Sequence, residues 1–160
     1  MKHAYTLGKT SLLAFVMILS VVFACKDDKD PDPQPVDNDP IVGTWQLTSI
    51  TPETPGTSIP ALTFITTLAP CYLDLKLTFN ANNTISTADC AAAVSAIDPF
   101  VPVGTDSKWK VEGDKLTLSK GTTSQTFKYT RTATNLTVVV NTNADATKPA
   151  VNALLVFKRK

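Results

Sequence analysis

Tyr72–Phe79 reads YLDLKLTF, and its alternation decides the fold class. Leu73, Leu75, Leu77 and Phe79 fall on one face, while Asp74, Lys76 and Thr78 fall on the other. Period two is the pattern of a half-buried strand, because successive side chains of extended backbone point to opposite sides. Asn80–Asn83 (NANN) supplies turn chemistry, since Asn tolerates left-handed backbone, and Thr84–Thr87 returns as the partner strand. With Phe79 opposite Thr84, Tyr72 would lie opposite Ala91.

The pattern repeats outward from this hairpin. Lys108–Glu112 and Lys115–Ser119 flank Gly113-Asp114, a two-residue hairpin connection. Trp109 and Val111 share one side of the first strand, and Leu116 and Leu118 one side of the second. Thr123–Thr132 alternates through Phe127 and Tyr129, and Asn135–Asn141 through Leu136, Val138 and Val140. Ile41–Thr51 opens the series and Ala150–Arg159 closes it. These runs read as strands, and Ala61–Leu68 is a further candidate. Strands at even spacing on short turns form a meander, which removes its free edges by closing into a barrel. Ala88–Ile97 (ADCAAAVSAI) is the one candidate for a short helix. It begins the long connection through Ser107, read as a flap over the barrel mouth. The fold class is therefore all-β: an up-and-down antiparallel β-barrel of about eight strands.

A different kind of segment precedes the barrel. Lys2, His3 and Lys9 give a positive start, and Ser11–Phe23 (SLLAFVMILSVVF) is a run of 13 residues without a charge. A bilayer span needs roughly 18 to 20 apolar residues, so this run fits the core of a cleaved signal peptide. It ends in Val22-Phe23-Ala24-Cys25, where a small residue directly precedes a cysteine. That ending resembles the lipobox of bacterial lipoprotein signals. The resemblance implies that Cys25 receives a lipid, that residues 1–24 are removed, and that the mature chain is anchored to a membrane. Several acyl chains hold far more firmly than one, at about 0.8 kcal/mol per buried CH₂. Lys26–Pro40 (KDDKDPDPQPVDNDP) carries six Asp, two Lys, four Pro and no aromatic, too little apolar surface to fold. Residues 25–40 are thus expected to be a lipidated, disordered tether stiffened by proline. The KDDKD after Cys25 is similar to acidic export signals of surface-exposed Bacteroidetes lipoproteins. The expected location is the cell envelope, lipid-anchored at the outer membrane and facing the periplasm or the cell surface.

Composition excludes several classes of function. The 160 residues suffice for one domain with a core, spanning 41–160. A net charge of +1 gives no large field for a polyanion, and 8% aromatic residues give no stacking platform, so nucleic acid is not an expected partner. Cleavage removes Lys2 and Lys9, leaving 13 basic against 14 acidic side chains, and removes His3, the only histidine. Nucleophilic schemes with Ser or Cys generally need an adjacent base, most often His. The domain's carboxylates (Glu53, Asp74, Asp89, Asp98, Asp106, Glu112, Asp114 and Asp145) show no spacing that pairs two of them as a glycosidase requires. No glycine-rich phosphate loop is present. The expectation is a protein that is not an enzyme, with no catalytic residues and no cofactor. Cys71 and Cys90, an even pair in an exported domain, favour a disulfide. A closed loop of about 20 residues contributes roughly 3 kcal/mol in the chain-entropy model. Two cysteines without histidine make a poor zinc site, so no metal is expected.

Gly43-Thr44-Trp45 on the first strand resembles the Gly-x-Trp signature of lipocalins. Cys71, Asp74, Leu77-Thr78-Phe79-Asn80, Cys90 and Trp109–Leu118 follow it in an order similar to the lipocalin-like domain of Bacteroidetes lipoproteins. The resemblance covers roughly Ile41–Lys160. It implies a barrel with Trp45 at the closed end and a basic residue of the last strand over it. Arg159 shares parity with Val151, Leu155 and Phe157 and is the barrel-closing candidate; Arg131, in phase with Phe127 and Tyr129, competes with it. The expected partner is a small hydrophobic or amphipathic ligand held in the mouth of a monomer. Candidate cavity-lining residues are Leu73, Leu75, Leu77, Trp109, Phe127, Tyr129 and Val138. The alternative is a surface-displayed structural or interaction module with a filled barrel, using the loops Pro52–Pro60 and Asp98–Asp106. A cavity of a few hundred Å³, the usual scale of a ligand site, would separate the two.

Overall fold

The structure is a computed structural model that describes residues 37–143, 145 and 147–160. The expected signal peptide, Cys25 and the tether up to Val36 lie outside the described residues.

Eight antiparallel strands form one sheet: β1 (Gly43–Pro52), β2 (Lys76–Phe79), β3 (Ile85–Ala88), β4 (Lys108–Glu112), β5 (Lys115–Lys120), β6 (Thr123–Arg131), β7 (Asn135–Asn141) and β8 (Asn152–Arg159). Their order is β3-β2-β1-β8-β7-β6-β5-β4. Every pairing except β1 with β8 joins strands consecutive in the chain, and that one exception curls the meander round on itself. The two ends of the sheet, β3 and β4, meet at a single bridge between Thr84 and Lys108. The result is a nearly closed up-and-down barrel, as the alternation implies.

Alternation decides which side chains fill it. Trp45 and Leu47 point inward from β1, Leu77 and Phe79 from β2, and Leu116 and Leu118 from β5. Phe127 and Tyr129 follow from β6, Leu136, Val138 and Val140 from β7, and Ala153, Leu155 and Phe157 from β8, all of them buried. In β1 the register against β8 shifts between Leu47 and Ser49. One extra residue there moves the inward parity, so Ile50 rather than Ser49 is buried next.

Four sequence expectations are corrected. Ala61–Leu68 is not a strand: Pro60–Leu68 forms a helix, α1, with proline in its first turn, where its fixed φ is helical and its missing N–H is not needed. Tyr72–Phe79 is extended only from Lys76; Tyr72–Asp74 is a 3₁₀ turn, which takes Leu73 out of phase and leaves it 39% exposed. Phe79 lies opposite Ile85, not Thr84. The turn is longer because the Asn80 N–H donates to the Thr84 carbonyl (2.9 Å) and Asn83 takes φ +62°. Finally, Asp37–Pro40 is not loose tether. The Asp37 N–H donates to the Ala81 carbonyl (2.6 Å), Asn83 Nδ2 donates to Asp37 Oδ2 (2.7 Å), and Asp39 Oδ1 accepts the Ile41 N–H (2.7 Å). Asx turns of this kind give a polar stretch local hydrogen bonds that composition does not reveal. The short helix expected in Ala88–Ile97 is present as α2, Ala91–Ile97. Among the described residues no helix is long and apolar enough to cross a membrane.

Candidate functional site

The barrel has two unlike ends. At the base, Trp45 is fully buried and its indole N–H donates to the Ile41 carbonyl (2.7 Å). The Arg159 guanidinium lies over the ring, its central carbon 4.3 Å from the centroid. Its N–H groups donate to the carbonyls of Val42 (3.0 Å), Ala133 (3.1 Å) and Pro40. Stacking cation on indole contributes about 0.5 to 2 kcal/mol depending on desolvation. The backbone bonds add direction by joining the chain before β1 to the β6–β7 turn. Gly43 is required beside them: its φ is +136°, and a Cβ there would meet Arg159 Nη1 at 2.5 Å. Arg131 is half-buried at the end of β6, and its Nε finds no partner among the described residues. Phe79 packs edge-on against Trp109, centroids 5.8 Å apart, and the Trp109 indole N–H donates to the Asn80 carbonyl (3.0 Å).

At the other end, α1 and α2 lie across the mouth. Ile59 and Ile65 from the α1 side, and Ala93, Ala96 and Ile97 from α2, are buried, followed by Val101 and Val103. A void of about 20 Å³ remains between this lid and the rim, walled by Ile59, Leu62 and Ile65 on one side and by Ile50, Val140, Ala153 and Leu155 on the other. A second void of about 10 Å³ lies on the barrel axis among Leu77, Val138, Leu116 and Phe157. A single water needs about 10 to 15 Å³, so neither holds a larger molecule with the lid closed.

Of the candidate cavity-lining residues, Leu77 and Val138 border the axial void. Leu75, Trp109, Phe127 and Tyr129 are buried in the packed core and border neither void. Leu73 faces out, which removes it from the lining, because the 3₁₀ turn breaks its parity with Leu75. Sequence reading missed Ile50, Ile59, Leu62 and Ile65. The signal available for the last three was Pro60 at a helix start with apolar residues three apart behind it.

The lid is tied together covalently. Cys71, just after α1, and Cys90, at the start of α2, are disulfide-bonded with Cα atoms 5.8 Å apart. The bridge therefore joins the chain that leaves α1 to the start of α2. Lys120 Nζ, at the end of β5, donates to Asp98 Oδ1 (2.8 Å) and to the Val103 carbonyl (3.4 Å), which latches the chain after α2 to the rim. Both groups are more than a third exposed, so this latch is weak. α1 itself has no side-chain cap, no acidic first turn and no basic last turn, and only Ile65 of its nine residues is buried. Phe64 and Leu68 on its outer side are each 55% exposed.

The carboxylates are dispersed. Asp89 pairs with Lys76, Asp98 with Lys120, Glu112 with Lys110 and Asp145 with Lys148. The hydrogen bond and charge of Lys110 hold Glu112 below its ordinary value, and hydrogen bonds from Thr147 do the same for Asp145. Among the described residues no three of His, Cys, Asp and Glu gather as metal ligands would.

A family model described as a lipocalin-like domain matches residues 41–138, from the base of the barrel into β7. No curated protein and no solved structure matches the chain significantly. The matched region takes in more than half of the sequence, including Trp45, both cysteines and the lid, and the remaining strand completes the same barrel. The chain belongs to the lipocalin-like domain family.

Proposed function

We propose that this protein is a lipid-anchored, monomeric binding module of the cell envelope. Its barrel takes a small apolar or amphipathic ligand at the mouth and carries out no reaction on it. The observation that carries the reading is the apolar seat between lid and rim, covered by a helix that buries one residue. A ligand would enter by lifting α1 and replacing the contacts of Leu62 and Ile65 with its own. Apolar area contributes about 25 cal/mol per Å² whichever molecule buries it, so the exchange is close to balanced and the lid can answer to ligand. Anchoring rests on the lipobox-like ending at Ala24-Cys25 and on the Asp/Pro-rich tether that follows.

Titration with the apolar dye Nile red, followed on backbone amides, tests the binding. Saturable binding with shifts at Ile50, Ile65 and Val140 supports it. Absence of saturable binding overturns it. Native mass spectrometry of the protein from its own cells should also show a co-purifying apolar molecule. Radioactive palmitate should label the chain, and a Cys25→Ala form that keeps the label would rule out the anchor.

A second reading is favoured by the small voids: a filled barrel that presents an apolar surface to a partner. Phe64, Leu68 and Leu73 supply that surface, rather than the loops Pro52–Pro60 and Asp98–Asp106. Dye shifts confined to those three residues would select it.

A further inference from the structure

The barrel closes imperfectly along one line. Between β3 and β4 the chain makes its long detour through α2, and β4 returns to β3 only at the Thr84–Lys108 bridge. The seam is zipped at that bridge by one bond on each side of it: the Trp109 N–H donates to the Asn83 carbonyl and the Ile85 N–H to the Ser107 carbonyl, both at 2.9 Å. Beyond Ser107, towards Gly104, the chain turns away. Gly104, at φ +129°, and Asp106, at φ +62°, shape a turn in which the Ser107 N–H donates back to the Gly104 carbonyl (3.3 Å).

The backbone of β3 is left facing this gap. Groups on an antiparallel strand alternate sides, and Ile85 already directs its N–H across the seam. Thr87, two residues on, therefore directs its N–H and C=O the same way, where no described backbone group receives them. A groove of about 390 Å³ occupies the gap, lined by Thr84, Ser86 and Thr87 on one side and Thr105, Asp106 and Ser107 on the other. A second hollow of about 130 Å³ continues along β3 past Thr87 to Asp89 and Val94. Ser107 borders the larger groove, is fully buried, and its hydroxyl has no partner among the described residues. Buried hydroxyls are nearly always bonded, so an unmet one beside a groove points to something that completes it.

We propose that this seam is a peptide-binding site, in which an extended segment of another protein lies along β3 as an added strand and closes the barrel wall. The lining chemistry selects this class of ligand. Among the described residues no cation lines the groove to hold an anion, and no aromatic ring lines it to stack on a sugar face. What it offers is an unpaired strand edge, hydroxyls and a buried acceptor–donor, the equipment that recognises peptide backbone by strand addition. The segment would lack proline where it faces Thr87, and a small polar side chain or a carbonyl would meet Ser107.

The test uses the isotope-labelled full chain and a capped hexapeptide of sequence TVTVTV as probe, with TVPVTV as control. Binding of the first should slow exchange of the Thr87 amide about tenfold, while the proline peptide does not. Thr87→Pro removes an N–H that makes no ladder bond, so the edge strand tolerates it. It should weaken the probe about tenfold, the effect of one lost hydrogen bond. Ser107→Ala, which removes an unsatisfied hydroxyl and spares the fold, should weaken it about threefold. Equal binding of both peptides, shifts away from Thr87 and Ser107, or unchanged affinity in Ser107→Ala would each overturn the proposal.

Discussion

At the base, Trp45 and Arg159 satisfy their polar atoms with carbonyls of Ile41, Val42, Ala133 and Pro40, each bond fixing a direction. At the mouth, Ile59, Leu62 and Ile65 face the rim with apolar side chains only, and the cystine joins the chain after α1 to α2. Directional bonds specify one arrangement, whereas apolar contact is indifferent to which apolar surface it meets. The same barrel thus carries an end fixed by directional bonds and an end covered by apolar contact. That contrast is what a binding module needs, and it can be attacked from either side.

The largest expected effect lies at the base. Trp45→Ala should cost about 4 kcal/mol, read as a lowered urea midpoint with an unchanged slope. A loss below about 1 kcal/mol would mean that the base is not the rigid end. Next comes the cystine. Cys71→Ser combined with Cys90→Ser should cost about 3 kcal/mol from loop closure, and hydrogen exchange should quicken in α1 and α2 while β5 to β8 keep their protection. Uniform quickening would erase the distinction between the ends.

How far each end was legible in the sequence follows the same division. β4 to β8 are strands where alternation and tight turns placed them, because local chemistry and tertiary burial agree there. The base was legible through Gly43-x-Trp45 and the parity of Arg159 with Phe157. The mouth was not. Ala61–Leu68 contains Thr63, Ile65, Thr66 and Thr67, whose branched side chains favour extended backbone. The helix forms because the lid needs one apolar side and leaves the other to solvent, a tertiary demand that overrides propensity. Leu73 was misassigned for a related reason: a 3₁₀ turn preserves the apolar spelling of a strand while rotating one residue outward. The seam between β3 and β4 has no sequence signature, because it is made by what the chain does not pair.

Two smaller effects sharpen the picture. Gly43→Ala should cost about 1 to 3 kcal/mol, since the new methyl displaces Arg159 and the backbone stays at positive φ. An independent check is tryptophan fluorescence read in a Trp109→Phe background, since Trp45 emission should shift as the guanidinium leaves the ring. Phe64→Ser with Leu68→Ser should change the unfolding free energy by less than about 0.5 kcal/mol, since both side chains already face water. A large loss would show that the outer side of α1 is part of the core after all.

The pairing of β1 with β8 has a consequence for assembly. Arg159 reaches Val42 across 117 positions of chain, so β1 keeps one bare margin until β8 has been made. Contacts that distant are slow to form, and a strand waiting with an unmatched margin invites the wrong neighbour. A domain whose first and last strands complete each other can finish its wall only once the whole of it is available to fold.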